Sequence, residues 1–299
     1  MKSIRQINAD MIVNDTLLTE KEVEVVRESV VTTAKATLNA RDPLNVREVS
    51  EGRQTFEYYK IDTDSTDGAK VVRKGADYPQ VEMEKTSTKV DLVKFGNSFE
   101  LYREDILSAQ DNGDSLPTQA STMAARQTSE KENDLILNGD EDFELEGLVD
   151  VAGSSVSSNS SSGWAEDGID TFGLQDIVGD IVKTLKGVPD SLGNGPFTLY
   201  LTRGEFLHLQ NVDANTDRNV MEVLNSVANI NQIIWDPDMP EDTGLLVNTS
   251  PDVVEYVVAE DVNVVPIDNG DDETEEFKVR SRGAVVAYQP DGIVELTGI

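Results

Sequence analysis

The segment over residues 53–95 constrains the fold most, because it reads as one long two-stranded excursion. Phe56, Tyr58 and Ile61 lie on the outgoing limb. Asp62-Thr63-Asp64-Ser65-Thr66-Asp67-Gly68 is a polar tip with turn chemistry. Val71 and Val72 begin the return, and Val81, Met83, Val90, Leu92 and Val93 continue it. A lone hairpin of this length has few nearby partners for its apolar side chains. The expectation is that it rests on another molecule, with Phe56, Tyr58, Lys70, Arg73, Lys74 and Tyr78 among the contact residues; the alternative is an ordinary hairpin packed on its own domain.

The rest of the 299-residue chain alternates helices and short strands without a regular βαβ repeat. An α+β fold follows. Residues 1–16 show no pattern and read as an extended arm. Residues 17–38 read as an amphipathic helix, with Thr19 and Glu22 as a capping box and Val23, Val26, Val30, Ala34 and Leu38 on one face. Residues 115–138 read as a long spine helix whose stripe of Ala120, Met123, Ala124, Gln127, Lys131, Leu135 and Ile136 suits contact on one side only. Residues 152–163 are rich in Ser and Gly and read as a flexible linker. Residues 171–187 carry the clearest helical period, through Leu174, Ile177, Val178, Ile181, Val182 and Leu185.

Strands are expected at 197–201, about 230–235, 244–249, 252–259, 262–266, 275–282, 284–289 and 293–297, with short helices at 203–210 and 219–228. Asn269-Gly270 marks a turn between strands. Over 275–282, Phe277 and Val279 alternate with Lys278, Arg280 and Arg282. That basic strand face is expected to pair with acidic neighbours across a subunit contact.

The net charge is −32, from 25 basic and 57 acidic residues. Such a chain repels itself at low ionic strength, whereas at about 1 M salt the Debye length is only ~3 Å. The acids are spread among folded-looking segments rather than gathered in a tail, which reads as adaptation to molar salt. Residues 1–103 hold 16 basic and 18 acidic residues, and residues 104–299 hold 9 and 39. The near-neutral first third suits a segment lying against other subunits, since like-charged surfaces in contact are costly.

Enzyme chemistry finds little footing. The absence of Cys removes disulfides, thiolate metal sites and thiol catalysis. His208 is the single histidine, which depletes nucleophile–base arrangements. The acidic turns at 111–114 and 268–272 do not follow calcium-loop spacing. No Gly-rich phosphate motif, secretory leader or membrane-length apolar run is apparent, and the sequons at Asn14, Asn159 and Asn248 are short enough to arise by chance. No cofactor is expected.

The order of parts then acquires meaning. The stretch Val90-Asp91-Leu92-Val93-Lys94-Phe95-Gly96-Asn97-Ser98-Phe99-Glu100-Leu101-Tyr102-Arg103-Glu104-Asp105-Ile106-Leu107 resembles the point where the hairpin's return limb enters a helix in Hong Kong 97-type major capsid proteins of tailed viruses and in encapsulin shells. The stretches from Glu130 to Asp140, Leu145 to Leu148, and Gly195 to Thr202 resemble the family's spine-helix end, following turn and first strand after the axial-domain helix. The likeness covers roughly 45–299.

It implies an N-terminal arm and helix (1–52), an E-loop (53–95), a P-domain with spine helix (96–165), an A-domain (166–258) and return strands (259–299). It also implies hexamers and pentamers closing an icosahedral shell around double-stranded DNA, without sequence-specific binding or membrane. A portal and decoration proteins are further implied partners, and assembly would take place in the host cytoplasm. Some relatives crosslink a loop Lys; Lys70 and Lys74 lie near the tip, but no Asn partner or catalytic Glu is identifiable, so a noncovalent shell is expected. The expected protein is thus the head-forming capsid protein of a tailed virus of salt-loving archaea, not an enzyme. An encapsulin-type nanocompartment and a halophilic hydrolase or binding domain are the alternative readings.

Overall fold

The computed structural model describes residues 20–37, 39–62, 84–112, 119–158, 164, 174–210, 219–226, 230–267 and 273–299. The first helix, α1 (Glu20–Thr37), turns Val26, Val30 and Ala34 inward at four-residue spacing, so they stack on one face. Thr19 and Leu38 lie outside the described residues. Strand β1 (Asn45–Glu48) follows, then β2 (Thr55–Asp62) and β3 (Glu84–Asp91), paired antiparallel from Thr55–Asp91 to Asp62–Glu84. β4 (Val93–Tyr102) runs straight into α2 (Arg103–Asn112).

The spine helix is α3 (Gln119–Leu137). Its buried face differs from the expected stripe. Met123 is 64% exposed, while Ser121, Ala124, Ala125, Thr128, Ser129, Glu132, Asn133 and Ile136 are buried. The helix lies close against its neighbours, and small or hydrogen-bonded polar residues fit there. The Thr128 hydroxyl donates to the Ala124 carbonyl, and the Ala40 N–H donates to Asn133 Oδ1.

After α3 the chain makes a tight return, β5 (Gly139–Asp140) to β6 (Leu145–Glu146), around the 3₁₀ turn Glu141–Phe143. Gly139 has φ of 70°, and a Cβ there would meet the Leu145 carbonyl oxygen at 2.2 Å. Only glycine fits both demands.

The expected linker is in part ordered: β7 (Ser154–Ser157) pairs parallel with the last strand. Its hydrogen bonds run through the backbone, so a Ser-rich composition does not prevent it. Then come α4 (Leu174–Gly187), β8 (Phe197–Leu201), α5 (Arg203–Leu209), α6 (Val220–Ser226), β9 (Ile230–Trp235) and β10 (Thr243–Asn248). All five residues of β8 are buried, as expected of a strand covered on both faces.

Two long strands close the fold, β11 (Val254–Ile267) and β12 (Thr274–Ala287), before β13 (Ile293–Thr297). Each was expected as two short strands. β11 is continuous but irregular, with register shifts between Val258 and Glu260 and between Glu260 and Asn263. Bulges bend a strand without ending it, and the polar run Glu260-Asp261 reads as a break in one dimension. The antiparallel β11–β12 ladder brackets the expected Asn-Gly turn, which itself lies outside the described residues.

Two sheets organise the molecule. The four-stranded sheet has the order β1-β11-β12-β4, and α1 and α3 cover one of its faces through Phe99, Leu101, Val264, Phe277 and Val279. The five-stranded sheet has the order β7-β13-β10-β8-β9 and packs against α4, α5 and α6. A third cluster, including Ile136, Leu137, Leu148, Tyr200, Met239 and Tyr256, joins the end of α3 to both sheets. Among the described residues no helix is long and apolar enough to cross a membrane.

Candidate assembly interface

The β2–β3 ribbon forms a sheet of its own, with no ladder to either larger sheet. Its base, however, is seated on its own chain. Phe56 and Tyr58 are each 6% exposed. They pack with Leu92, Leu145, Val257, Ala259, Ala284 and Val286 on the second face of the four-stranded sheet. This corrects the expectation that both wait for another subunit. The sheet offers a flat apolar surface beside the hairpin base, so their burial is complete within one molecule.

Polar contacts fix the same seat. The rings of Tyr58 and Tyr288 meet edge to face at 5.6 Å. The Tyr288 hydroxyl donates to Glu255 Oε2 at 2.8 Å, and Arg47 Nε lies 3.0 Å from that carboxylate. Burial, followed by the Glu255 carboxylate, raises the Tyr288 phenol above its ordinary range. Further out, Tyr59 alternates to the opposite side and is 55% exposed. Lys70, Arg73, Lys74 and Tyr78 lie outside the described residues.

Lys278, Arg280 and Arg282 share one face of β12, as the alternation implies. Two of the three already have partners within the chain. Arg280 Nη2 lies 2.7 Å from Glu260 Oε1. Arg282 Nη1 donates to the carbonyls of Glu51 at 3.1 Å and Arg53 at 3.4 Å. Lys278 stays exposed. The first β11 bulge sets Glu260 opposite Arg282 and within reach of Arg280, and the carbonyls come from the turn before β2. Neither proximity is visible along the sequence.

The sequence also conceals a buried ionic cluster. Glu132, at 0% exposure in α3, lies 3.3 Å from Arg41 Nη1, which is 2.7 Å from Asp261 Oδ1 at the β11 irregularity. The guanidinium stands 5.5 Å from the centre of the Tyr256 ring. Burial pushes the Glu132 carboxyl up to about 7, against the opposing pull of Arg41. The cluster binds the segment after α1 to the spine helix and to β11. One acid among three in a charged helix gives no sign of this role.

His208, in the last turn of α5, is half-buried. Among the described residues no group of three or more His, Cys, Asp or Glu side chains could hold a metal ion.

An α+β body with a spine helix, two larger sheets and a separate two-stranded ribbon is the Hong Kong 97-like fold. Solved structures share this fold. A virus-like particle from Pyrococcus furiosus is 16% identical, with a TM-score of 0.63 over 92% of this chain and 98% of that one. The capsid of Myoviridae phage XM1 is 11% identical, with a TM-score of 0.64 over 86% and 90%. The capsid of a native GTA particle is 12% identical, with a TM-score of 0.64 over 87% and 90%.

No curated protein matches the sequence. Residues 14–280 match the profile of the family described as "Encapsulating protein for peroxidase", and the chain belongs to that family.

Proposed function

We propose that this chain is the repeating subunit of the icosahedral head of a tailed virus whose host lives in molar salt. Copies associate as hexamers and pentamers through geometry rather than covalent chemistry, and the shell encloses double-stranded DNA without reading its sequence. A portal and decoration proteins complete the particle, which assembles in the host cytoplasm. The chain performs no catalysis of its own.

The observation that carries the self-assembly reading is the β2–β3 ribbon. Its eight registered pairs form a two-stranded sheet that is seated on the body at Phe56 and Tyr58 but, among the described residues, joins the ladder of neither larger sheet. Two strands alone are marginal in water, and their outer edges carry open backbone groups. A neighbouring copy would cover them. Many such contacts per subunit act together even when each is modest. The viral and halophilic reading draws support from the charge of −32 and from the sequence likeness to tailed-virus capsid proteins.

The family description favours a second reading, a compartment that encloses an enzyme such as a peroxidase. Electron microscopy of the purified protein in molar salt tests the shell itself, and the particle contents separate the two readings. Nuclease-resistant double-stranded DNA with portal and tail proteins supports the viral head. A packaged enzyme with no nucleic acid supports the compartment. A monodisperse monomer at every salt concentration overturns both.

A further inference from the structure

Two surfaces of this molecule are electrostatically unfavourable in isolation, and they carry opposite signs. The first is the turn at the end of α3. Residues 140–146 hold five acids, Asp140, Glu141, Asp142, Glu144 and Glu146. They crowd the negative end of a helix that has no basic residue in its last turn, where anions are disfavoured. Lys131 lies 3.5 Å from Asp140, and Lys60 lies 3.9 Å from Glu146. Among the described residues no cation lies within ion-pair distance of Glu141, Asp142 or Glu144, and all three are exposed. Phe143 stands among them, 59% exposed. The turn is rigid: Asp140 caps its start by accepting from the Asp142 N–H, and Glu144 closes it at a φ of 53°.

The second surface is the uncovered part of the four-stranded sheet. In β4, Asn97 reaches Gln127 of the spine helix, and Phe99 stacks on Phe277 on that same side. The alternate residues therefore face away from the helices. In register, Lys94 stands opposite Arg282, Gly96 opposite Arg280 and Ser98 opposite Lys278. Lys94 and Arg282 are like charges directly across a ladder, an arrangement that destabilises a sheet. Gly96 leaves no room for a side chain, since a Cβ there would meet the Val279 carbonyl oxygen at 2.1 Å and Arg280 Cα at 2.8 Å. Lys94 and Lys278 are exposed, with no ion-pair partner among the described residues. Half-buried Val265 lies opposite Lys278 in the β11–β12 register. The like-charged pair Glu100 and Glu276 bounds the surface at its far end.

We infer that the acidic turn bearing Phe143 docks onto this basic face of a second copy of the chain, with its carboxylates toward Lys94 and Lys278 and its ring toward Val265. The inference rests on the self-assembly reading above and adds the pair of surfaces that meet. Charge complementarity selects the occupant. The turn is a fixed, exposed acidic element with an apolar centre, and the face is a fixed basic one with an apolar neighbour. Docking relieves both repulsions at once, which favours the assembled state over the free subunit.

The test is a charge exchange in the full-length chain, read by sedimentation in constant salt. One variant carries Lys94→Glu and Lys278→Glu, and the other carries Glu141→Lys and Glu144→Lys. Glu141→Lys with Glu144→Lys removes a local repulsion, so that free subunit should melt at the same temperature as the unaltered chain or higher, and a cooperative melt of the Lys94→Glu, Lys278→Glu subunit shows that it still folds. Each alone should raise the concentration needed for particles roughly tenfold or more, because several weak pairs are lost per subunit. Combining all four substitutions should restore assembly, and Phe143→Ala should impair it without lowering the melting temperature. Normal particles from either double variant overturn the inference. So does a combined variant that stays impaired, which would assign the basic face to another acidic segment such as residues 62–67. An unaltered chain that never assembles removes the shell reading, and this docking with it.

Discussion

Arg41 Nη1 and Glu132 Oε1 lie 3.3 Å apart although 91 residues separate them in the chain. Glu132 has no exposed surface, and Arg41 is shared with Asp261 at 2.7 Å. Removing one member of a buried pair leaves the other charge uncompensated, at a cost of about 3–5 kcal/mol. Arg41→Met should therefore lower the stability of the free subunit by about that amount. Glu132→Gln should cost much less near pH 5 and should stabilise the subunit above about pH 7, because it removes a carboxyl whose ionisation burial disfavours while Arg41 keeps Asp261. Equilibrium unfolding of both variants checks the ordering, and equal losses would contradict it.

The same carboxyl predicts the pH response. Burial, the dominant cause, raises Glu132 from 4.5 to about 7, and Asp238 from 3.8 to about 6 with help from Asp236. An acid whose pKa is higher folded than unfolded binds more protons in the native state, so stability falls as pH rises between the two values. The Glu132 penalty is absent below about 4.5 and complete above about 7. Its size is on the order of 3 kcal/mol. Melting temperature in constant salt should rise on going from pH 8 to pH 5 (roughly the span that both shifts cover). Glu132→Gln should flatten most of that slope, and an unchanged slope would count against the assignment.

Phe56 and Tyr59 lie on opposite sides of the same strand and should behave differently. Phe56→Ala opens a cavity beneath the ribbon base and should cost about 3–5 kcal/mol in the free subunit. Tyr59→Ala, at an exposed position, should leave unfolding almost unchanged and act on assembly instead. Thermal melts paired with sedimentation separate the two effects.

Salt should act on the particle as a whole. At about 0.1 M the Debye length is ~10 Å, against ~3 Å at about 1 M. With a charge of −32 per subunit, dilution into low salt should dissociate shells. Light scattering through a salt titration follows this, and shells that remain intact in dilute buffer would contradict it.

Gly139→Ala should lower stability by more than 1 kcal/mol, roughly the ordinary limit for a compatible glycine site, because both its φ of 70° and the Leu145 carbonyl oppose a side chain. A neutral result in thermal unfolding would show that the turn can relax.

Much of the frame was legible in one dimension because periodicity and turn chemistry are local. The α1 stripe of Val26, Val30 and Ala34, the Asn138-Gly139 stop, the β8 run from Phe197 to Leu201, and β13 at Ile293–Thr297 all stand where the pattern puts them. The spine helix stands where the pattern puts it, but its buried face does not follow the apolar stripe, because Ser121, Thr128, Glu132 and Asn133 look like surface residues until a neighbour approaches them.

The sequence by itself determined the α+β class, the antiparallel pairing of the two hairpin limbs near their base, the excess of negative charge and the alternation that sets Lys278, Arg280 and Arg282 on one face. Only the tertiary structure decided that Phe56 and Tyr58 are buried at home, that β11 is one bulged strand, and that Arg41 meets Glu132 and Asp261. Local patterns report which side of an element is apolar. Which surface lies opposite depends on contacts between residues far apart in the chain, and those exist only once the layers have packed.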